Sequence, residues 1–333
     1  MSDSDSFKTH MRESSEAPGS VSRRAVLKGT LAAAGAGVAS AVQAQFTGVM
    51  PGDSMTAPLV TTDWLETHLD DPSVRIIEVS LAKTNDTYAA GHIPGASWWY
   101  WKDLCWHQTD REFITSAEMA ERLGGAGIGP ETTLIIYGDP AQFGSYAFWT
   151  LTMAGHEDVR LLDGTRTKWQ QEGRPMTTEV PTFSAAPYQP AGPGDVSMRI
   201  GRDNVLANLS NPKRLLLDAR SPEEYSGERV RRYGVFDHGA ERSGRIPGAR
   251  HLYYRDILND YDTFKSAAEL RPVFAAAGVT DDLDQEIACY CRLSHRASLI
   301  WFTLKYLLGY RNVSVYDGSW TEWGSIVGFP VEK

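Results

Sequence analysis

The chain has 333 residues, 42% of them hydrophobic and 23% charged, with a formal net charge of −9. This composition is that of a soluble globular protein, and the length favours two domains. The acidic balance argues against a general nucleic-acid or acidic-membrane surface, so any anion site has to be a local basic pocket.

Residues 1–44 read as a segment to be removed before folding is considered. Residues 22–28, with Arg23 and Arg24 at their centre, resemble a twin-arginine export signal, with Val26 where that pattern prefers Phe. An Ala/Gly-rich run over 29–42 follows, too short to span a bilayer. Then comes Val42-Gln43-Ala44, a cleavage site that would leave Gln45 as the first residue. The expected address is the periplasm, reached through the twin-arginine export machinery. Three cysteines, Cys105, Cys289 and Cys291, make no disulfide framework there, and no Cys/His cluster with metal-ligand spacing is present.

Residues 45–60 form a lead-in rich in Gly, Pro, Ser and Thr. The first domain is expected over 61–176. Its pattern predicts a helix over 62–70, a strand over 74–80, a turn at Gly91-His92-Ile93-Pro94-Gly95-Ala96, a helix over 116–123 and a strand over 133–137. A loop over 138–144, a helix and a strand over 159–162 complete it. Residues 177–198 read as a linker, with Pro181, Pro187, Pro190 and Pro193 and few large aliphatics.

The second domain, 199–333, repeats the first. The turn returns as Gly244-Arg245-Ile246-Pro247-Gly248-Ala249, Asp163-Gly164-Thr165 returns as Asp317-Gly318-Ser319, and Ala147-Phe148-Trp149 matches Leu299-Ile300-Trp301. On that register Asp139 falls opposite Cys291, so the duplication carries one nucleophile. Strands alternating with helices in each copy predict an α/β fold with a mostly parallel sheet flanked by helices, each copy with its own core. In such sheets ligands sit beyond the carboxyl ends of the strands, where Cys291 and Asp139 are placed.

Residues 286–290 read as a buried strand, and Leu299, Phe302, Leu304 and Leu307 recur at helical spacing. Cys291 therefore lies on a tight loop between a strand and a helix N-terminus, where unpaired N–H groups and the dipole favour an anion and should ease ionisation of the thiol. Arg292 and Arg296 add positive charge, and Ser294 and His295 complete the loop. His295 reads as an exposed bystander, although it could assist a leaving or attacking group. Cys289, inside the strand, and Cys105, among aromatics, read as packing. Trp320 and Trp323 read as core.

These residues resemble the tandem-domain rhodanese family, the thiosulfate sulfurtransferases. The resemblance rests on four motifs in order: residues 217–225 with Asp218 and Arg220, residues 244–249, the loop Cys291 to Arg296, and residues 316–323. It implies two rhodanese-like domains, the first without a nucleophile. It also implies a reaction in which Cys291 takes the outer sulfur of thiosulfate as a persulfide, releases sulfite and passes the sulfur to cyanide or a thiol, with no metal or organic cofactor. Arg292, Ser294, His295 and Arg296 would bind the donor. Asp218 and Arg220 would pair with each other or with the loop and hold its shape. The two arginines suit a dianion, whereas the mercaptopyruvate-specific branch has a small neutral loop; that donor, or a persulfide carrier with little turnover, is the alternative. Glu224 stands where some members carry a basic substrate contact, which leaves Arg231, Arg232 or Arg242 to supply that charge. Cysteine-dependent phosphatases share the architecture but use Cys-x5-Arg; the spacing here is Cys-x4-Arg, a smaller cup.

Overall fold

A computed structural model describes residues 57–190, 192–230 and 239–333. The export signal, Gln45 and the Arg231–Arg232 pair lie outside the described residues. Among the described residues no helix is long and apolar enough to cross a membrane.

The first copy builds β1 (Leu59–Val60), β2 (Val74–Ser80), β3 (Ala96–Tyr100), β4 (Thr133–Asp139) and β5 (Val159–Leu162) into a parallel sheet of order β1-β5-β4-β2-β3. The second builds β6 (Arg199–Ile200), β7 (Arg214–Asp218), β8 (Arg250–His251), β9 (Glu286–Tyr290) and β10 (Val313–Tyr316) into the same order, β6-β10-β9-β7-β8. The central strands are almost wholly buried, as expected for Val/Ile/Leu-rich parallel strands covered on both faces. The helix predicted over 62–70 ends at Thr67, ahead of Pro72, which bars a further turn. The helix at 116 starts on a capping box between Thr115 and Glu118 and runs to Gly125.

The cores differ from the expectation of two separate ones. The outer face of each sheet has its own cluster, around Trp169 in the first copy and Trp320 and Trp323 in the second. The inner faces instead share one continuous core, running from Ile77 to Val315. The cause is the pair of helices Ala141–Ala154 and His295–Phe302, the first apolar over most of its surface and the second apolar along Ala297 and Leu299–Phe302; such wide apolar faces have to be covered. They pack on each other with matching residues of the two copies face to face, Phe143 on His295 at 4.5 Å and Trp149 on Trp301 at 6.5 Å between ring centroids. The two helices therefore run side by side in the same direction. The hydroxyls of Ser145 and Ser298 meet between them at 2.7 Å.

Over 178–190 and 192–195 the linker has no regular structure but is tied to the first copy. Ala186 N–H donates to the Gly124 carbonyl, Asp195 N–H to the Met153 carbonyl, and the Tyr188 hydroxyl lies 2.6 Å from His156 Nδ1.

Candidate active site

β7 and β9 are paired so that Leu217 lies beside Cys289 and Asp218 beside Tyr290. Both strands therefore end at one edge, and the next residues of each chain segment form the site. Cys291, 1% exposed, leaves β9 with its N–H donating to Ser319 Oγ at 3.2 Å and its carbonyl accepting from Trp320 N–H at 3.0 Å. The Arg292 carbonyl accepts from Thr321 N–H at 3.1 Å. The loop is thus stitched to the turn after β10. Ser294, at φ 71°, occupies the left-handed region that non-glycine residues rarely adopt; its hydroxyl donates to the Asp317 carbonyl at 2.5 Å and lies 3.1 Å from Asp317 Oδ1. The first i→i−4 bond of the following helix runs from Ser298 N–H to the Ser294 carbonyl, at 2.8 Å. The N–H groups just before it have no intrahelical acceptor, which makes the loop a cup for an anion.

The two arginines do not both present charge to that cup. Arg296 donates two hydrogen bonds to Glu224, at 2.7 and 3.0 Å, and the pair is largely buried. Burial opposes the charge on Glu224, yet the Arg296 fork overcomes it and pushes the carboxyl down to about 2. A carboxyl held below its ordinary 4.5 stabilises the fold above that pH, and the contribution is lost as pH falls towards about 2. The Glu224 departure noted in the sequence is therefore an internal counter-charge for Arg296, made by the helix Pro222–Ser226 and its Ser221–Glu224 capping box. Arg242 is not available either: its guanidinium donates to the carbonyls of Gly324, Phe329, Trp323 and Ile326 at 2.7–3.0 Å. Arg292 is half-buried in the loop.

His295 is not the exposed bystander that its polar neighbours suggested. It is 7% exposed and boxed by Trp101, Phe143 and Tyr146 of the first copy, with ring centroids 4.4–4.5 Å away. Burial first, then the nearby charges of Arg111, Arg292, Arg296 and Lys102, hold its pKa well below the ordinary range. The imidazole is neutral, with Nε2 unpaired among the described residues. The one signal in the sequence was the register itself, which sets His295 opposite the apolar Phe143.

Asp218 and Arg220 are both fully buried and pair through contacts of 2.6–3.1 Å. Arg220 also donates to the Gly244 carbonyl at 2.8 Å, and its guanidinium stands 4.6 Å over the Trp320 ring. The Gly244 turn is further held by Ile246 N–H donating to the Tyr290 hydroxyl. Two of the four sequence motifs thus lock each other beside the loop. Gly244 itself, at φ 124°, could carry no side chain, because a Cβ there would lie 2.5 Å from the Glu332 carbonyl.

Cys105 and Cys289 are fully buried; burial pushes the Cys105 thiol up to about 12 and the Cys289 thiol further. In the first copy the matching loop is closed. A Cβ on Gly138 would meet the Gly144 nitrogen at 2.3 Å, and Asp139 is paired with Arg166, which also binds the buried Glu78. The carboxylate at the nucleophile's position is neutralised in place.

A duplicated parallel α/β unit with a cysteine on the loop of one copy and a paired carboxylate on the matching loop of the other defines a tandem-domain protein with one cysteine-bearing loop at a sheet edge. Known proteins agree. The rhodanese-like domain matches twice, over residues 61–172 and 202–326. The chain is 45% identical over 279 residues to the sulfur carrier protein TtuD of Thermus thermophilus, covering 83% of this chain and 96% of that one. It is 41% identical over 281 residues to a Haloferax volcanii protein named "Putative thiosulfate sulfurtransferase", with the same two shares. Among solved structures, wild-type EanB superposes with a TM-score of 0.72 at 25% identity, over 83% of this chain and 69% of that one, and YnjE with 0.71 at 25% identity, over 83% and 68%. The chain belongs to the rhodanese family.

Proposed function

We propose that this protein is a thiosulfate sulfurtransferase that works through a persulfide on Cys291. The observation that carries the reading is the seat of Cys291, at the carboxyl edge of the second sheet in a cup of loop N–H groups. The Cys291 thiolate attacks the outer sulfur of thiosulfate; the sulfur–sulfur bond of the donor breaks, its electron pair leaves with sulfite, and Cys291 keeps the sulfur. Cyanide or a thiolate then attacks that outer sulfur, takes it as thiocyanate or a new persulfide, and returns the Cys291 thiolate. Each step is a displacement at sulfur in which negative charge stays inside the cup, where fixed donors stabilise it without reorganisation. Ser294 shapes the cup. His295, kept neutral, adds no second cation to the loop.

The relative named a sulfur carrier favours a second reading, in which the persulfide is handed to a protein acceptor and turnover with small molecules is slow. Thiocyanate formation from thiosulfate and cyanide separates the two. Rapid turnover with thiosulfate supports the first; a stoichiometric persulfide with little turnover supports the carrier; faster turnover with mercaptopyruvate replaces the donor. The working place proposed is the periplasm, on the strength of residues 22–44 alone.

The Arg296–Glu224 pair makes a further test of how the charge is used. Glu224→Gln keeps the capping geometry, because Gln serves at that helix position, but leaves Arg296 without its counter-charge. The variant is expected to lose stability at pH 7, to lose part of the acid-limb transition of the native protein, and to regain thermal stability on adding thiosulfate or sulfate. It should also bind thiosulfate several-fold more tightly, read as KM in the thiocyanate assay.

A further inference from the structure

Besides the aromatic box around His295, the first copy reaches the site through an ion pair. Its turn between Trp106 and Phe113, closed by a bridge between those two residues, carries Arg111 across to Asp317, which follows β10 of the second copy. Arg111 grips the carboxylate with both nitrogens, Nη1 to Oδ2 at 3.1 Å and Nη2 to Oδ1 at 3.0 Å, and its guanidinium lies 3.9 Å over the Trp106 ring. Glu112, the next residue, accepts two bonds from Arg199, which itself donates to Asp317 at 3.1 Å. Asp317 is 4% exposed; its main-chain carbonyl accepts from the Ser294 hydroxyl, which also lies 3.1 Å from Oδ1, the oxygen that Arg111 Nη2 grips. The corresponding turn of the second copy, bridged between Leu258 and Phe264, makes a reciprocal but weaker contact: Phe264 N–H donates to Asp163, the residue matching Asp317, at 2.9 Å. Among the described residues, Asp317 has a bidentate guanidinium grip and Asp163 does not.

We propose that Arg111 is a positioning residue for Cys291, acting through Asp317 and Ser294. The inference rests on the sulfur-transfer reading for its kinetic test, though not for its chemical one. Ser294 sits in a strained left-handed conformation that only its surroundings can hold, and it is the residue at which the loop turns into the helix. Two arginines on its carboxylate fix Asp317, and with it both acceptors of the Ser294 hydroxyl, the main-chain carbonyl at 2.5 Å and Oδ1 at 3.1 Å; the loop N–H groups then point at one spot. With Arg111 gone, the carboxylate keeps Arg199 but loses the fork that sets its plane. The cup loosens without losing a substrate contact. The first copy thereby has a role in the reaction although its own loop is closed.

The experiment uses the full folded chain with Arg111→Gln, Arg111→Lys and Ser294→Ala, and Arg111→Gln combined with Ser294→Ala. Arg111→Gln should lower kcat for thiosulfate and cyanide roughly tenfold with KM little changed, since misplacement of the reacting groups affects the transition state first. Arg111→Lys should recover only part of the loss, because one ammonium cannot bridge both carboxylate oxygens. The double variant should be little worse than Ser294→Ala. In parallel, alkylation of Cys291 by iodoacetamide, followed by mass on its peptide, should quicken several-fold in Arg111→Gln as the loop opens; Cys105 and Cys289 are buried and stay unlabelled. A raised KM with unchanged kcat would make Arg111 a direct substrate contact and overturn the proposal. So would fully additive losses, or full recovery with Lys. If the unaltered protein makes no thiocyanate, the sulfur-transfer reading fails on its own, and the alkylation rates decide: equal rates in the unaltered protein and Arg111→Gln overturn the positioning role.

Discussion

Cys291→Ser is expected to abolish thiocyanate formation from thiosulfate and cyanide and to leave the fold intact. Serine is nearly isosteric and keeps the backbone bonds that stitch the loop to Ser319 and Trp320, so thermal unfolding should change little. Its hydroxyl is hardly ionised at neutral pH and cannot carry a persulfide, so the chemical step has no substitute nucleophile. Cys289→Ser is the matched control. Cys289 sits two residues back within β9, fully buried, with its thiol held protonated by that burial, and its replacement should keep turnover per folded molecule. Residual activity in Cys291→Ser, or its loss in Cys289→Ser at equal folded fraction, would move the nucleophile elsewhere.

Asp218→Ala should be the most destabilising single change beside the site. It would leave Arg220, fully buried, with one carbonyl and, as the nearby negative charge, a Glu224 already paired with Arg296. Breaking a buried pair from one side costs about 3–5 kcal/mol, which for a chain of this size lowers Tm by on the order of 10 °C. Removing both charges, as in Asp218→Ala with Arg220→Met, should recover most of that loss, because it is the uncompensated guanidinium that is costly and not the absence of the pair. Thermal unfolding followed by circular dichroism reads both. A single variant within 1 kcal/mol of the native protein would show that solvent reaches Arg220.

Features written in contiguous residues were legible in the sequence. The strand over 286–290, the loop from Cys291 and the following helix carry their signals within a few residues, and the two copies of the Ile-Pro-Gly-Ala turn revealed the duplication. The local pairing of Asp218 and Arg220 was legible for the same reason. What escaped depends on contacts between distant segments. Arg296 meets Glu224 across 72 residues, so a loop that looked doubly cationic has one of its charges neutralised. His295, flanked by polar residues, looks exposed until the first copy supplies Trp101, Phe143 and Tyr146 around it. The same helix–helix contact merges the two inner cores, which no pattern within either copy could announce. Arg111 and Asp317 are 206 residues apart and share no motif.

The charge arrangement has a consequence for donor choice. With Arg296 paired and Arg242 clasped by carbonyls, neither guanidinium is open to a dianionic donor, and the proposed persulfide, a monoanion, would be held by the loop N–H groups.

The central claim is that Cys291 takes up the outer sulfur of a donor, and the most direct measurement is mass spectrometry of the folded protein after incubation with thiosulfate and no acceptor. A gain of one sulfur atom per chain is expected, located on the peptide that contains Cys291 and removed by cyanide. A sulfur adduct on Cys105 or Cys289, or no adduct while thiocyanate is still produced, would contradict it.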